Sequence, residues 1–180
     1  MLLVALFNAR NGYFIVILHT INDIVERDNT VYMMQEIIPI ASDHAGFELK
    51  EVVKDHLQKK GFTVKDFGTF SAERADYPDY AHPLASSINK GLYKRGIVIC
   101  GSGNGVSMTA NKYAGVRCAL CWTEELAALA RQHNDANIVA LPARFIAEEV
   151  ALKIVDTFLS TAFEGGRHAQ RVEKISHLLD

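Results

Sequence analysis

From Ile37 to the end of the chain, short apolar runs of strand type alternate with stretches whose apolar residues recur at helical spacing. Ile37–Ala41, Thr63–Phe67, Gly96–Cys100, Val116–Trp122 and Ile138–Leu141 read as strands. Helical patterns cover Ala45–Lys60, a stretch after the polar loop Gly68–Pro78 that runs through Asn89, then Asn104–Lys112, Glu124–His133, Phe145–Thr161 and Gly166–Leu179. Gly61 and Gly91 act as stops, Thr123 as a cap and Gly165-Gly166 as a break. Strands joined through helices pair in parallel, because right-handed crossovers lay the helices over both faces of the sheet. The expected architecture is therefore α/β, a three-layer αβα Rossmann-like domain with a five-stranded parallel sheet in the order 2-1-3-4-5.

In that order the topological switch point falls between the first and third strands. The loop after the first is Ser42-Asp43-His44-Ala45-Gly46, and the third runs from Cys100 straight into Gly101-Ser102-Gly103-Asn104-Gly105. Glycines at alternate positions let backbone N–H groups approach an anion closely, and the start of the next helix adds the positive end of its dipole. The same field favours Cys100 as thiolate. Topology thus gathers a carboxylate, an imidazole, a thiol and an anion cradle around one crevice.

The chain has 180 residues, enough for one well-cored domain, and a net charge of −2 gives no electrostatic reason to expect nucleic acid or an anionic membrane as partner. Any phosphate affinity must be local. Three cysteines make no disulfide framework and fit a reducing cytosol. Cys118 and Cys121 spell CxxC inside an expected strand, where residues three apart point to opposite faces, so the pair is read as core and not as a metal or redox site. With no second CxxC and no HExxH, a metal site has no support.

Residues 1–33 stand apart. Met1–Phe7 and Tyr13–Ile21 are apolar runs too short to span a bilayer, and they lack the layout of a secretory signal. Asn11-Gly12 between them suits a hairpin turn. Met33 and Met34 stand just before the first clear strand, so this segment reads as an upstream extension without assigned function, and 34–180 as the working domain.

Asp43 has the residue type of a helix cap, yet with His44 beside it at the switch point a role in proton handling or substrate binding is the stronger reading. His133 ends a helix, where imidazole often serves the dipole or the cap; followed by Asn134 at the carboxyl edge of the sheet, it stays among the site residues. Arg167 and Arg171 leave one face of the last helix and have no acidic partners four positions earlier, so their forked donors suit a phosphate as well as they suit solvent. His19, His56, His82 and His177 have no such context.

Ser-Asp-His-Ala-Gly at 42–46, Glu-Arg-Ala-Asp-Tyr-Pro-Asp-Tyr at 73–80, Cys-Gly-Ser-Gly-Asn-Gly at 100–105, Arg-Gln-His-Asn-Asp at 131–135 and Glu-Gly-Gly-Arg-His at 164–168 together resemble ribose-5-phosphate isomerase type B, a family shared with two-subunit galactose-6-phosphate isomerase. The resemblance runs from about Met34 to the C-terminus. It implies a cytoplasmic, cofactor-free and metal-free aldose–ketose isomerase of the pentose phosphate pathway, a homodimer or dimer of dimers whose sites draw on two chains. By position, Cys100 resembles the base that moves a proton between carbons 1 and 2, and His133 the residue that opens the sugar ring with help from Asp43. The backbone of Gly101, Ser102, Gly103, Asn104 and Gly105 would hold the enediolate, with Ser102 where the family more often has threonine. Asn134 would bind a sugar hydroxyl, His44, Arg167 and Arg171 would anchor the phosphate, and Tyr77 would line the pocket. Asn104 departs from an apolar residue common in the family, and a cysteine base points to the ribose-active branch without excluding allose 6-phosphate or galactose 6-phosphate.

Two other readings compete. Cys100 and His133 are also the residue types of a nucleophile and base for acyl or phosphoryl transfer. A sheet of this class can equally serve as a non-catalytic sugar-phosphate or nucleotide sensor.

Overall fold

The computed structural model describes residues 3–7, 14–18, 24–27, 30–33 and 36–175. Two compact units divide the chain, Met1–Glu36 and Ile37–Asp180. In the first, β1 (Leu3–Phe7) pairs antiparallel with β2 (Phe14–Leu18), and β3 (Ile24–Arg27) with β4 (Thr30–Met33). The expected turn at Asn11-Gly12 lies outside the described residues.

The second unit runs β5 (Ile37–Ser42), a 3-10 turn at His44–Gly46, α1 (Phe47–Lys59), β6 (Thr63–Asp66), α2 (Tyr77–Asn89), β7 (Gly96–Cys100), α3 (Asn104–Ala110), β8 (Cys118–Leu120), α4 (Glu124–Asn134), β9 (Ile138–Pro142), α5 (Glu148–Ser160) and α6 (Arg167–Ile175). All pairings among β5 to β9 are parallel. Thr123 caps α4 as expected, its Oγ1 accepting from the Leu126 N–H at 3.3 Å. The last helix is described to Ile175, and the remainder of its expected span lies outside the described residues.

The sheet order is β6-β5-β7-β9-β8, or 2-1-3-5-4 in strand number, so the last two strands exchange places relative to the expected 2-1-3-4-5. Burial explains the exchange. Every residue of β9 is buried, as an interior strand paired on both edges requires, whereas β8 has three residues, of which Ala119 and Leu120 are half-buried.

Strand periodicity divides the core into two layers. Ile97 and Ile99 of β7 join Ile40, Val53, Leu141, Ile154 and Phe158 on one face. Val98 and Cys100 join Leu84, Val106 and Ala140 on the other. Cys118 and Cys121 fall on opposite faces, both free, each thiol pushed up to about 12 by burial, as befits core residues. Among the described residues no helix is long and apolar enough to cross a membrane.

Candidate active site

Cys100 is the last residue of β7 and is only 4% exposed, with its Sγ accepting the Gly103 N–H at 3.1 Å. The bend that delivers this N–H needs glycine. Gly103 has φ +73°, and a Cβ there would lie 2.3 Å from Leu120 Cδ1. Two residues on, a Cβ at Gly105 would lie 2.7 Å from the Tyr77 ring, so the aromatic side chain at the start of α2 packs directly on the loop backbone. Ser102 Oγ accepts from the Asn104 N–H at 3.4 Å.

The neighbouring loop is tied to the same strand. The Asp43 N–H donates to the Ile99 carbonyl at 3.2 Å, and Asp43 Oδ1 accepts from the Gly46 N–H at 2.9 Å, which caps the 3-10 turn and delays α1 to Phe47. Asp43 is thus a cap and a cavity residue at once. His44 Nδ1 lies 3.0 Å from the Ala75 carbonyl, which fixes the ring against the loop that leads into α2.

Asp43, His44, Tyr77, Cys100, Gly101, Ser102 and Gly105 line one cavity of about 390 Å³, within the usual size range of small-molecule sites. Gly103 and Asn104 belong to its loop without lining it. Three further lining residues escaped the sequence reading: Ala45, Arg144 and Phe145. Arg144 follows β9, and the exchange of outer strands brings that edge beside β7, where the Ala143 N–H donates to the Cys100 carbonyl at 2.9 Å.

His133, Asn134, Arg167 and Arg171 do not line this cavity. His133 stacks on His168, with ring centroids 4.2 Å apart and planes 1° from parallel. Glu164 Oε2 lies 3.9 Å from His133 Nε2 and 3.8 Å from His168 Nε2, and Arg167 Nε donates to His168 Nε2 at 3.3 Å. Gly165 and Gly166 both have positive φ, which turns the chain into α6. Burial, aided by the charges of His133, Arg167 and Arg171, holds the His168 imidazolium below its ordinary pKa of 6.5, with Glu164 opposing. Arg171 is exposed, and Asn134 faces a separate cavity of about 220 Å³ beside Arg117.

His168 and Glu164 were legible only as part of a motif, because they meet across the left-handed Gly165-Gly166 turn and not on a shared helix face. With His133 they form the donor set among the described residues that could take a divalent ion, their ligand atoms within 4.8 Å of one another. Arg167, donating to one of those nitrogens, opposes a cation there.

Residues 38–175 match the family described as Ribose/Galactose Isomerase. The ribose-5-phosphate isomerase B of Escherichia coli strain K12 is 47% identical over 139 residues, which is 77% of this chain and 93% of that protein. A ribose 5-phosphate isomerase of Thermotoga maritima, solved by crystallography, superposes with a TM-score of 0.77 at 55% identity, covering 78% of this chain and 97% of its own. The ribose-5-phosphate isomerase B of Mycoplasma genitalium, solved with bound ribulose-5-phosphate, gives a TM-score of 0.75 at 47% identity over 78% of this chain and 93% of its own. With most of the chain matched and the parallel sheet in common, this protein belongs to the ribose/galactose isomerase family.

Proposed function

We propose that this chain interconverts ribose 5-phosphate and ribulose 5-phosphate through an enediolate, with residues 34–180 as the isomerase domain and residues 1–33 as an extension outside it. The observation that carries the reading is the Cys100 sulfur, bonded to a backbone N–H of a glycine loop at the wall of a cavity of substrate size. Its support includes the relative solved with the ketose product.

A proton next to a sugar carbonyl is too weakly acidic for a sulfur base unless the oxyanion is stabilised as it forms. Cys100 takes the proton from carbon 2 and returns it to carbon 1, the hydroxyl proton passes from oxygen 2 to oxygen 1 at the enediolate stage, and backbone N–H groups of Gly101–Gly105 with the Ser102 hydroxyl hold the developing charge. Asp43 and His133 open the furanose ring, and Asn134 binds a sugar hydroxyl. The phosphate does not react; its binding energy positions the reacting carbons. His44, Arg167 and Arg171 anchor it, the Arg144 guanidinium adds a further donor at the cavity wall, and Tyr77 closes one side.

His133, Asn134, Arg167 and Arg171 lie off the Cys100 cavity of their own chain, which supports a homodimer in which each site takes these residues from the partner. The reading includes a cytoplasmic enzyme of the pentose phosphate pathway that needs no metal. A panel of five- and six-carbon aldose phosphates, assayed with and without a chelator, tests it. Preference for ribose 5-phosphate that is indifferent to chelation is expected; turnover confined to a six-carbon sugar, or lost on chelation, contradicts it.

A further inference from the structure

Lys50, on α1, is completely buried, with Nζ 2.5 Å from Asp66 Oδ2 and 2.7 Å from Glu51 Oε1. Lys54 Nζ reaches the same Asp66 oxygen at 2.7 Å. Burying an ammonium is expensive, and an alkyl side chain of similar length would fill this space at lower cost, so stability alone is a poor account of the pair. The other carboxylate oxygen does something specific. Asp66 Oδ1 accepts from the Gly68 N–H at 2.8 Å, just past the end of β6.

From that point the chain continues to pair with β5 beyond the end of β6. The Phe67 N–H donates to the Ile40 carbonyl at 2.9 Å, the Ser42 N–H to the Gly68 carbonyl at 2.6 Å and the Thr69 N–H to the Ser42 carbonyl at 2.8 Å. Gly68 has φ +101°, and a Cβ there would lie 2.5 Å from the Tyr80 ring, so the bend is tightly enclosed. Ser42 is the last residue of β5, and Asp43 and His44 of the cavity come next. Further along the same loop stands Ala75, whose carbonyl faces His44 Nδ1.

We infer that Asp66, held by Lys50 and Lys54, is a positioning residue for the isomerase reaction, setting the Asp43–His44 corner of the cavity through Gly68 and Ser42; this rests on the proposed function. It touches neither substrate nor the cavity. Its part is to fix the loop against which the two cavity residues are aligned.

The test compares two double variants of the full chain, both free of the buried charge. Lys50→Met with Asp66→Asn keeps an oxygen for the Gly68 N–H; Lys50→Met with Asp66→Ala removes it. A reduced folded fraction lowers Vmax and leaves KM alone, whereas a displaced His44 raises KM, so KM separates positioning from folding. The Asn variant should keep KM for ribose 5-phosphate close to that of the wild type, and the Ala variant should raise it by about tenfold, given the sensitivity of bound substrates to small displacements. Wild-type turnover with equal KM in both variants overturns this inference alone. Wild-type protein without turnover on any aldose phosphate overturns the proposed function and this inference with it.

Discussion

The backbone N–H of Arg144 donates to the Gly101 carbonyl at 3.0 Å, so the second residue past β9 is fastened to the residue after Cys100. The Arg144 side chain runs beside the same residue, 3.4 Å at Cδ and Nε from where a Gly101 Cβ would sit. A guanidinium held this way offers a planar pair of donors to an anion in the cavity. Arg144→Met keeps the aliphatic stem and removes those donors. A charge-assisted hydrogen bond contributes about 1.5–3 kcal/mol, so KM for ribose 5-phosphate should rise by about 10- to 100-fold with kcat changed less. Steady-state kinetics measure both, and an unchanged KM removes Arg144 from the site.

Why Arg144 escaped the sequence reading and His44 did not is a matter of strand order. Apolar periodicity identified all five strands of the parallel sheet, and the β5 and β7 loops lie on adjacent strands, as the expected order 2-1-3 requires. Periodicity does not say which of two later strands returns to the middle of the sheet. Placing β8 there left the end of β9 two strands from Cys100, and nothing in the local pattern around Ala143-Arg144 corrects this. The sequence reading also made this strand too long, Val116–Trp122 against the three residues Cys118–Leu120 that pair, and so hid the short, half-buried character that suits an edge. The pairing of His133 with His168 is hidden for a similar reason. It arises where α4 and α6 pack, between residues 35 positions apart on elements that carry no complementary pattern.

His133→Ala should separate ring opening from proton transfer. With its terminal oxygen esterified, ribulose 5-phosphate is open-chain, so exchange of its carbon-1 hydrogen with solvent requires no ring chemistry. The variant should lose most turnover of ribose 5-phosphate while still exchanging that hydrogen in ribulose 5-phosphate, as followed by NMR in heavy water. Loss of both reactions to the same degree would remove His133 from ring opening.

Sharing of sites between chains has its own signature. Cys100→Ala and His133→Ala proteins, each nearly inactive, should regain up to about a quarter of wild-type activity when unfolded together and refolded as mixed dimers, because one composite site per mixed dimer is intact. Absence of recovery, with mixed dimers verified by mass spectrometry, would place both residues in the site of one chain.

Gly103→Ala tests the loop that meets Cys100. The new methyl needs a left-handed backbone and collides with Leu120, and strain of this kind costs about 1–3 kcal/mol. Thermal unfolding should shift down accordingly, and kcat should fall as the N–H leaves the sulfur. A variant of wild-type stability and activity would show that this contact carries no weight.

Acid sensitivity follows from Asp66. Burial raises its pKa, but the hydrogen bonds from Lys50, Lys54 and the Gly68 N–H outweigh burial and hold the carboxyl below its ordinary 3.8. The contribution of this group to stability is therefore complete above pH 3.8 and is lost as pH falls below that value through the folded-state pKa. Thermal melts across that window should show a steeper loss for the wild type than for Lys50→Met with Asp66→Asn. Parallel curves would contradict it.

The central claim is that the Cys100 sulfur carries the proton. Incubation with ribose 5-phosphate in heavy water, read by NMR and mass spectrometry, should give ribulose 5-phosphate with deuterium at carbon 1. Cys100→Ala should lose turnover and deuterium incorporation together by about 10²–10⁴-fold, the usual contribution of a general base, while still binding the sugar phosphate. Deuterium appearing at the wild-type rate in Cys100→Ala would contradict the account.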